Sequence, residues 1–432
     1  MSRRRRRPNY FSWAILALVL LFGYYFNQIY LPTQPNPFEA TPTVTRSPES
    51  FVTEAEVLFK EGKLTKAIEA YESAIKASPQ NPALYIALAR VQVFAGFPEK
   101  AQANAENAIL LSPENSMAHA VRAWALDFQE GRNSDALEAI DKALELDPNN
   151  AIAHAYRVEI LVDSNSSENI DKAREVSRTA LQLDPNALET RRARGYIFEI
   201  YQDYENAIQF YRSAIEVNPN IPILHMELGR ALRYLQVYDD AIREFTFANT
   251  LNPGDSEPDF LISRTYVAMG DYTKALQYAE TAVQDSPIDA RLRGNWGVIF
   301  YRQFHYQEAL DQLELAVNGG RSEDGLPIIG IPLTKDPRIA EYHFTYGMAL
   351  ARADQCGQAL QVAQTLQTEF PLIENVSDAD QIVIDAANRI IEICQENLDN
   401  PAVDTPTPAG EDAEDNTATP EATATPEGTA TP

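Results

Sequence analysis

Five stretches of the chain share one alternation of small, bulky and polar positions: TKAIEAYESAIKASP, SDALEAIDKALELDP, YENAIQFYRSAIEVNP, YDDAIREFTFANTLNP and YTKALQYAETAVQDSP. The closing prolines, with those of two weaker copies, fall at Pro79, Pro113, Pro148, Pro185, Pro219, Pro253 and Pro287, spaced by 34, 35, 37, 34, 34 and 34 residues. Twelve residues before each proline stands an alanine, from Ala67 to Ala275, and five before it another, from Ala74 to Ala282. The two share one helix face. Ten residues after most of these prolines comes a small residue again: Ala89, Ala123, Gly195, Gly229, Ser263 and Gly297. Small side chains at fixed phase let two helices approach closely, so the pattern predicts packed helical hairpins stacked in an array.

The spacing resembles the tetratricopeptide repeat, whose helix-turn-helix unit carries a small residue at position 8, alanines at 20 and 27, an aromatic near 24 and proline at 32. Tyr71, Tyr211 and Phe245 supply the aromatic, whereas Ala105, Ile140, Ser177 and Ala279 depart from it. The fourth unit has Val158 in place of the small residue and three extra residues near Asn165–Glu168, which predicts a looser turn. The resemblance implies an all-α, right-handed α-solenoid of about nine hairpins over residues 48–371. The ninth unit, Arg338–Pro371, carries Gly347 and Ala359 at the expected phase. The Gly- and Pro-rich stretch 318–337 is inserted before it, and insertions in arrays map to loops of one face. Residues 378–398 have helical spacing of Ile382, Ala386, Ile390, Ile393 and Leu398 after the capping candidates Ser377 and Asp378, and are expected to be a helix closing the stack.

The ends differ in composition. Five arginines in residues 1–9 precede an uncharged apolar run, and residues 10–31 are expected to form a transmembrane signal-anchor helix, long enough as a helix to cross about one hydrocarbon core. Tyr10, Phe11 and Trp13 at one end and Tyr24, Tyr25, Phe26 and Tyr30 at the other suit interfacial belts, and the arginines should stay cytoplasmic. The repeats are then expected outside the cytoplasm, on a single-pass cell-membrane protein. The alternative is a cleaved signal peptide, but no small-residue cleavage site follows the run. A Pro/Thr-rich linker, 32–47, and an acidic Thr/Pro-rich tail, 399–432, are disordered by composition. The tail is either a solubilising brush or a glycosylated stalk.

A net charge of −26 makes nucleic acid an improbable partner. No nucleophile-elbow, zincin, P-loop or paired CxxC motif occurs, so no catalytic, cofactor or metal residues are expected. His119, His154, His225 and His343 each fall at position 4 of their units, a packing position recurring once per repeat, and His305 sits near a helix turn.

In tetratricopeptide arrays, positions 2, 5, 9, 12 and 13 of each first helix line a groove that takes partner peptides. Here they hold Arg192, Tyr196, Arg230, Arg233, Tyr234, Phe260, Arg264, Arg291, Tyr301 and Arg302, with Asn295 bordering them. Guanidinium and aromatic groups together suit an acidic or C-terminal peptide. The competing expectation pairs these arginines with Glu189, Glu199, Glu227 and Glu257. The carboxylate clamp of chaperone-binding members is not reproduced. The family's packing also implies that the capping helix runs antiparallel to the second helix of the ninth unit, placing Cys356 beside Cys394 as a possible disulfide; two buried thiols are the alternative. Two functions compete: a membrane-tethered scaffold binding proteins or peptides outside the cytoplasm, or a regulatory or assembly subunit of an envelope enzyme or secretion machine.

Overall fold

The computed structural model describes residues 10–26, 28, 46–164, 166–371 and 377–399. The Arg-rich segment 1–9, most of the linker 32–47 and the tail beyond Asp399 lie outside them. Residues up to Pro253 form one compact unit and those from Gly254 a second.

The first unit holds α1 (Tyr10–Tyr25) and six consecutive helical pairs: α2 (Pro48–Lys60) with α3 (Leu64–Ala77), α4 (Pro82–Phe94) with α5 (Pro98–Leu111), α6 (Ser116–Asp127) with α7 (Asn133–Leu146), α8 (Ala151–Asp163) with α9 (Ser167–Leu183), α10 (Leu188–Ile200) with α11 (Tyr204–Val217), and α12 (Pro222–Tyr234) with α13 (Tyr238–Leu251). The second unit holds α14 (Glu257–Met269) with α15 (Tyr272–Asp285), α16 (Ala290–Arg302) with α17 (Tyr306–Asn318), and α18 (Pro337–Arg352) with α19 (Cys356–Glu369), then α20 (Asp378–Asp399). Each pair is a hydrophobic strip folded against its neighbour.

Residues 27 and 29–31 of the apolar run lie outside the described residues; helix α1 counts 16 residues, about 24 Å, and among the described residues no helix is long and apolar enough to cross a membrane. The extra residues of the fourth unit lengthen α9 to 17 residues, against 14 in α3, α5 and α7, and Asn165, in the turn expected to be looser, lies outside the described residues. The inserted stretch is not bare loop. It folds into a β-hairpin of β1 (Gly320–Arg321) and β2 (Pro327–Ile328), pinned by the Ile331 amide donating to the Ala316 carbonyl at 2.9 Å.

The local sequence accounts for the starts and turns of the pairs. Two residues past the proline comes Asn81, Asn115, Asn150 or Asp289, whose side-chain oxygen accepts an amide of the first helical turn. Within the pairs, several turns need a left-handed residue. Gly62, Gly96, Gly131 and Gly270 supply it without cost, whereas Gln202, Gln236, Phe304 and Asp354 adopt φ of 59 to 64° despite their Cβ.

Some positions 8 and 24 are matched across the hairpin. A Cβ on Gly195 would meet the Tyr211 ring at 2.8 Å, and one on Gly229 the Phe245 ring at 2.5 Å, so glycine makes room for the aromatic. Val158 faces Ser177 and Ser263 faces Ala279, whereas Ala55 keeps Tyr71 and Ala123 keeps Ile140, so the exchange of size is not general.

The histidines expected to pack do more than fill space. The rings of His119, His154 and His225 donate to the carbonyls of Pro113, Pro148 and Pro219 at 2.8, 2.9 and 2.8 Å. Tyr85, Arg191 and Arg293 do the same to Pro79, Pro185 and Pro287. At these six joints position 4 is a donor that satisfies the carbonyl of the proline six residues back, whereas Asp259 holds the position after Pro253. In the ninth unit the loop substitutes, with His343 bonding the Ile331 carbonyl at 2.9 Å.

In the first unit the array curves until it meets itself. Asn220, between α11 and α12, donates to the Lys60 carbonyl at 2.7 Å, and Gly62 lies so close that a Cβ would stand 2.8 Å from that of Asn220.

Candidate functional site

The inner face of the first unit is filled by its own side chains. Trp124 stacks on Tyr156 with centroids 4.4 Å apart, and its indole N–H donates to Glu159 at 3.0 Å. Arg192 is buried between Glu159 and Glu227, 2.7 Å from each. Arg90 reaches across to Glu189, 99 residues away, donating Nε to its carboxylate at 2.6 Å. Tyr196 donates to Asp163 at 2.8 Å, and Arg230 meets Glu199 at 3.2 Å, which also accepts from the Tyr211 hydroxyl. Arg192 and Arg230 thus meet Glu227 and Glu199, as the ion-pairing expectation had it, whereas Glu189 is held by Arg90, an arginine that expectation did not include.

The acids of this face outnumber its bases, and one of them holds a proton. Burial, with the facing carboxylates of Asp163 and Glu159, pushes Asp127 up to about 8, against a hydrogen bond from Asn133 at 3.0 Å. Burial pushes Glu159 up to about 7, with Arg192 opposing it. Toward the edge, Arg233 lies over the Tyr234 ring, and Tyr234, 51% exposed, stacks on Tyr204 at 4.8 Å.

The second unit keeps its basic and aromatic groups nearer the solvent. Phe260 is buried beneath the guanidinium groups of Arg291 and Arg264, 4.8 and 5.7 Å from its centroid. Arg291 pairs with Glu257 and Asp289 at 2.8 and 3.3 Å, and Arg302 with Glu341 at 2.7 Å. Asn295 is not a surface contact: it is buried, donating to the Ser263 hydroxyl at 3.1 Å.

Reading position by position had missed Arg352, the counterpart of Arg302 in the ninth unit. The insertion separates the two by 50 residues instead of 34, and carrying the phase across it would have found the residue. Arg352 hydrogen-bonds the Tyr301 phenol, with Arg389 close to the same ring. Arg352 is exposed and enters no ion pair among the described residues.

The end of the insertion serves a different face. Ile331, Pro332 and Leu333, which follow the hairpin, border with α17, α18 and α19 an open cavity of about 420 Å³, lined also by Val317, His343 and Tyr346. Cys356, at the start of α19, and Cys394, in α20, are bonded as a disulfide with Cα atoms 5.5 Å apart. Residues 372–376, between α19 and α20, lie outside the described residues.

Tandem helical pairs with small residues at fixed phase define an α-helical repeat array. Three segments, residues 58–125, 193–221 and 260–325, match models of the tetratricopeptide repeat, and they support a protein of that type. Such repeats are generally non-catalytic scaffolds that bind protein partners. No curated protein matched the chain.

Proposed function

We propose that the chain is a membrane-tethered scaffold whose second unit holds an extended acidic segment of a partner protein outside the cytoplasm. The carrying observation is the row of Arg291 over Phe260, Arg302, and Arg352 against Tyr301, on three successive first helices of a chain whose net charge is −26. Planar guanidinium forks fit carboxylates, and rings beside them add rigid apolar area. The first unit plays a different part. Its Arg192 is buried between carboxylates, 7% exposed, whereas the paired Arg291 and Arg302 of the second unit are 37% and 41% exposed and within reach of a partner.

The tether is the apolar run beginning at Tyr10 behind five arginines, which orient the repeats outward. Protease added to intact spheroplasts is expected to degrade the repeats, and full protection would refute the orientation. Capture of partners from detergent-solubilised membranes tests the groove. Replacing Arg302 and Arg352 by Ala should weaken capture of the main partner while leaving stability within about 1 kcal/mol, as for surface substitutions. Undiminished capture would remove the groove from the reading.

A further inference from the structure

Helix α20 ends at Asp399 against the end of α18. The Asn397 side chain donates to the Ala351 carbonyl at 2.9 Å, and the next residue of α18 is Arg352. The last described residues of the chain thus lie beside Arg352, which enters no ion pair among the described residues. Arg389, paired with Glu392 and Glu396 at 2.8 and 3.1 Å, stands on α20, and Arg302, paired with Glu341 at 2.7 Å, on the neighbouring first helix α16 at the same repeat phase as Arg352.

The residues that follow Asp399 carry seven acids and no base, and four of the acids, Glu411, Asp412, Glu414 and Asp415, are packed into five positions. Glu411 is twelve residues from Asp399. Twelve residues reach at most about 40 Å when extended, and a flexible chain of that length averages about 20 Å end to end. Neighbouring first helices stand about 10 Å apart, so the acidic cluster can lie along the row from Arg352 to Arg302 without strain.

We infer that the basic row of the second unit is occupied by this chain's own acidic segment, Glu411–Asp415, which a partner must displace. The inference rests on the groove reading above. Tethering gives the segment a local concentration in the millimolar range, so even weak charge pairing competes with a free acidic peptide. The competition is expected to fade with salt, as both contacts are exposed ion pairs.

The probe is a fluorescein-labelled peptide with the sequence of residues 408–417, PAGEDAEDNT, titrated into the detergent-solubilised full chain. A chain carrying Glu411→Gln, Asp412→Asn, Glu414→Gln and Asp415→Asn should bind the peptide about tenfold or more tightly than the natural chain. Adding Arg352→Ala to that chain should abolish the gain. Equal binding by the natural and neutralised chains would overturn self-occupancy while leaving an acidic-peptide groove in place. Absence of binding to either would overturn the groove reading and this inference with it.

Discussion

Asn220 closes the first unit by donating its side-chain amide to the carbonyl of Lys60, 160 residues earlier and four hairpins away along the array. The contact joins the turn of the first hairpin to the joint between the fifth and sixth, and Gly62 leaves no room for a side chain there. Asn220→Ala should lower the unfolding free energy by about 1 kcal/mol, the usual net worth of one hydrogen bond. Gly62→Val should cost more, because it adds a clash to a left-handed backbone (φ 74°). Denaturant melts followed by circular dichroism, with limited proteolysis at the Glu61–Lys63 turn, measure both. Unchanged cleavage in Gly62→Val would mean that the seam is not closed in solution.

The Asp127–Asp163 pair makes stability depend on pH. The folded chain keeps the Asp127 proton up to about pH 8, whereas an unfolded aspartate loses it near 3.8. Folded molecules therefore bind more protons in between, and this contribution is complete at acid pH and lost as pH rises toward 8. Asp127→Asn copies the protonated group, donating to Asp163 while still accepting from Asn133. It should raise stability at pH 8.5 and flatten the decline measured between pH 5 and 8.5. An unaltered slope would assign the dependence to other groups.

Packing across one hairpin supplies a third test. Gly229→Ala places a methyl 2.5 Å from the Phe245 ring, an overpacking worth about 1–3 kcal/mol. Combining it with Phe245→Leu should recover part of that loss, so the double variant is expected to melt above the sum of the single effects. Strict additivity would show that the two positions do not share one volume.

The Cys356–Cys394 bond closes a loop with a sequence separation of 38 that takes in α19 and most of the last helix. By the chain-entropy relation such a closure contributes about 3–4 kcal/mol. Thiol counting on denatured, unreduced protein purified from the membrane should find no free thiol, and reduction should lower the midpoint of unfolding. Two free thiols per chain would end this expectation and weaken the extracytoplasmic placement with it.

The helical pairs were legible because each is a local, 34-residue phrase whose small and bulky positions state their own phase. Part of the ion pairing was legible too. Arg192 meets Glu159 and Glu227, 33 and 35 residues away, and Arg291 meets Glu257, 34 away, so opposite charges one period apart announce a pair. Arg90 and Glu189 carry no such sign, because their meeting depends on curvature accumulated over several hairpins. A small bend per repeat decides whether an inner face is a groove or a filled interior, and no single repeat records that bend. Asn295 misled for a simpler reason: one helical step from a groove position is enough to bury it against Ser263.

The donors at position 4 bear on how such an array can move. A proline closes each of the first seven hairpins, and such joints are where a chain of rods would ordinarily flex. At all of them but Pro253 a side chain of the next rod is latched onto the proline carbonyl, as His119 is onto Pro113 and Arg293 onto Pro287. Bending there requires the latch to release first. A pull transmitted along the array is therefore expected to be borne by the joints and to yield at the left-handed turns inside the hairpins. Those held by Gln236 and Phe304 already carry backbone strain, which makes them the natural fuses of the assembly.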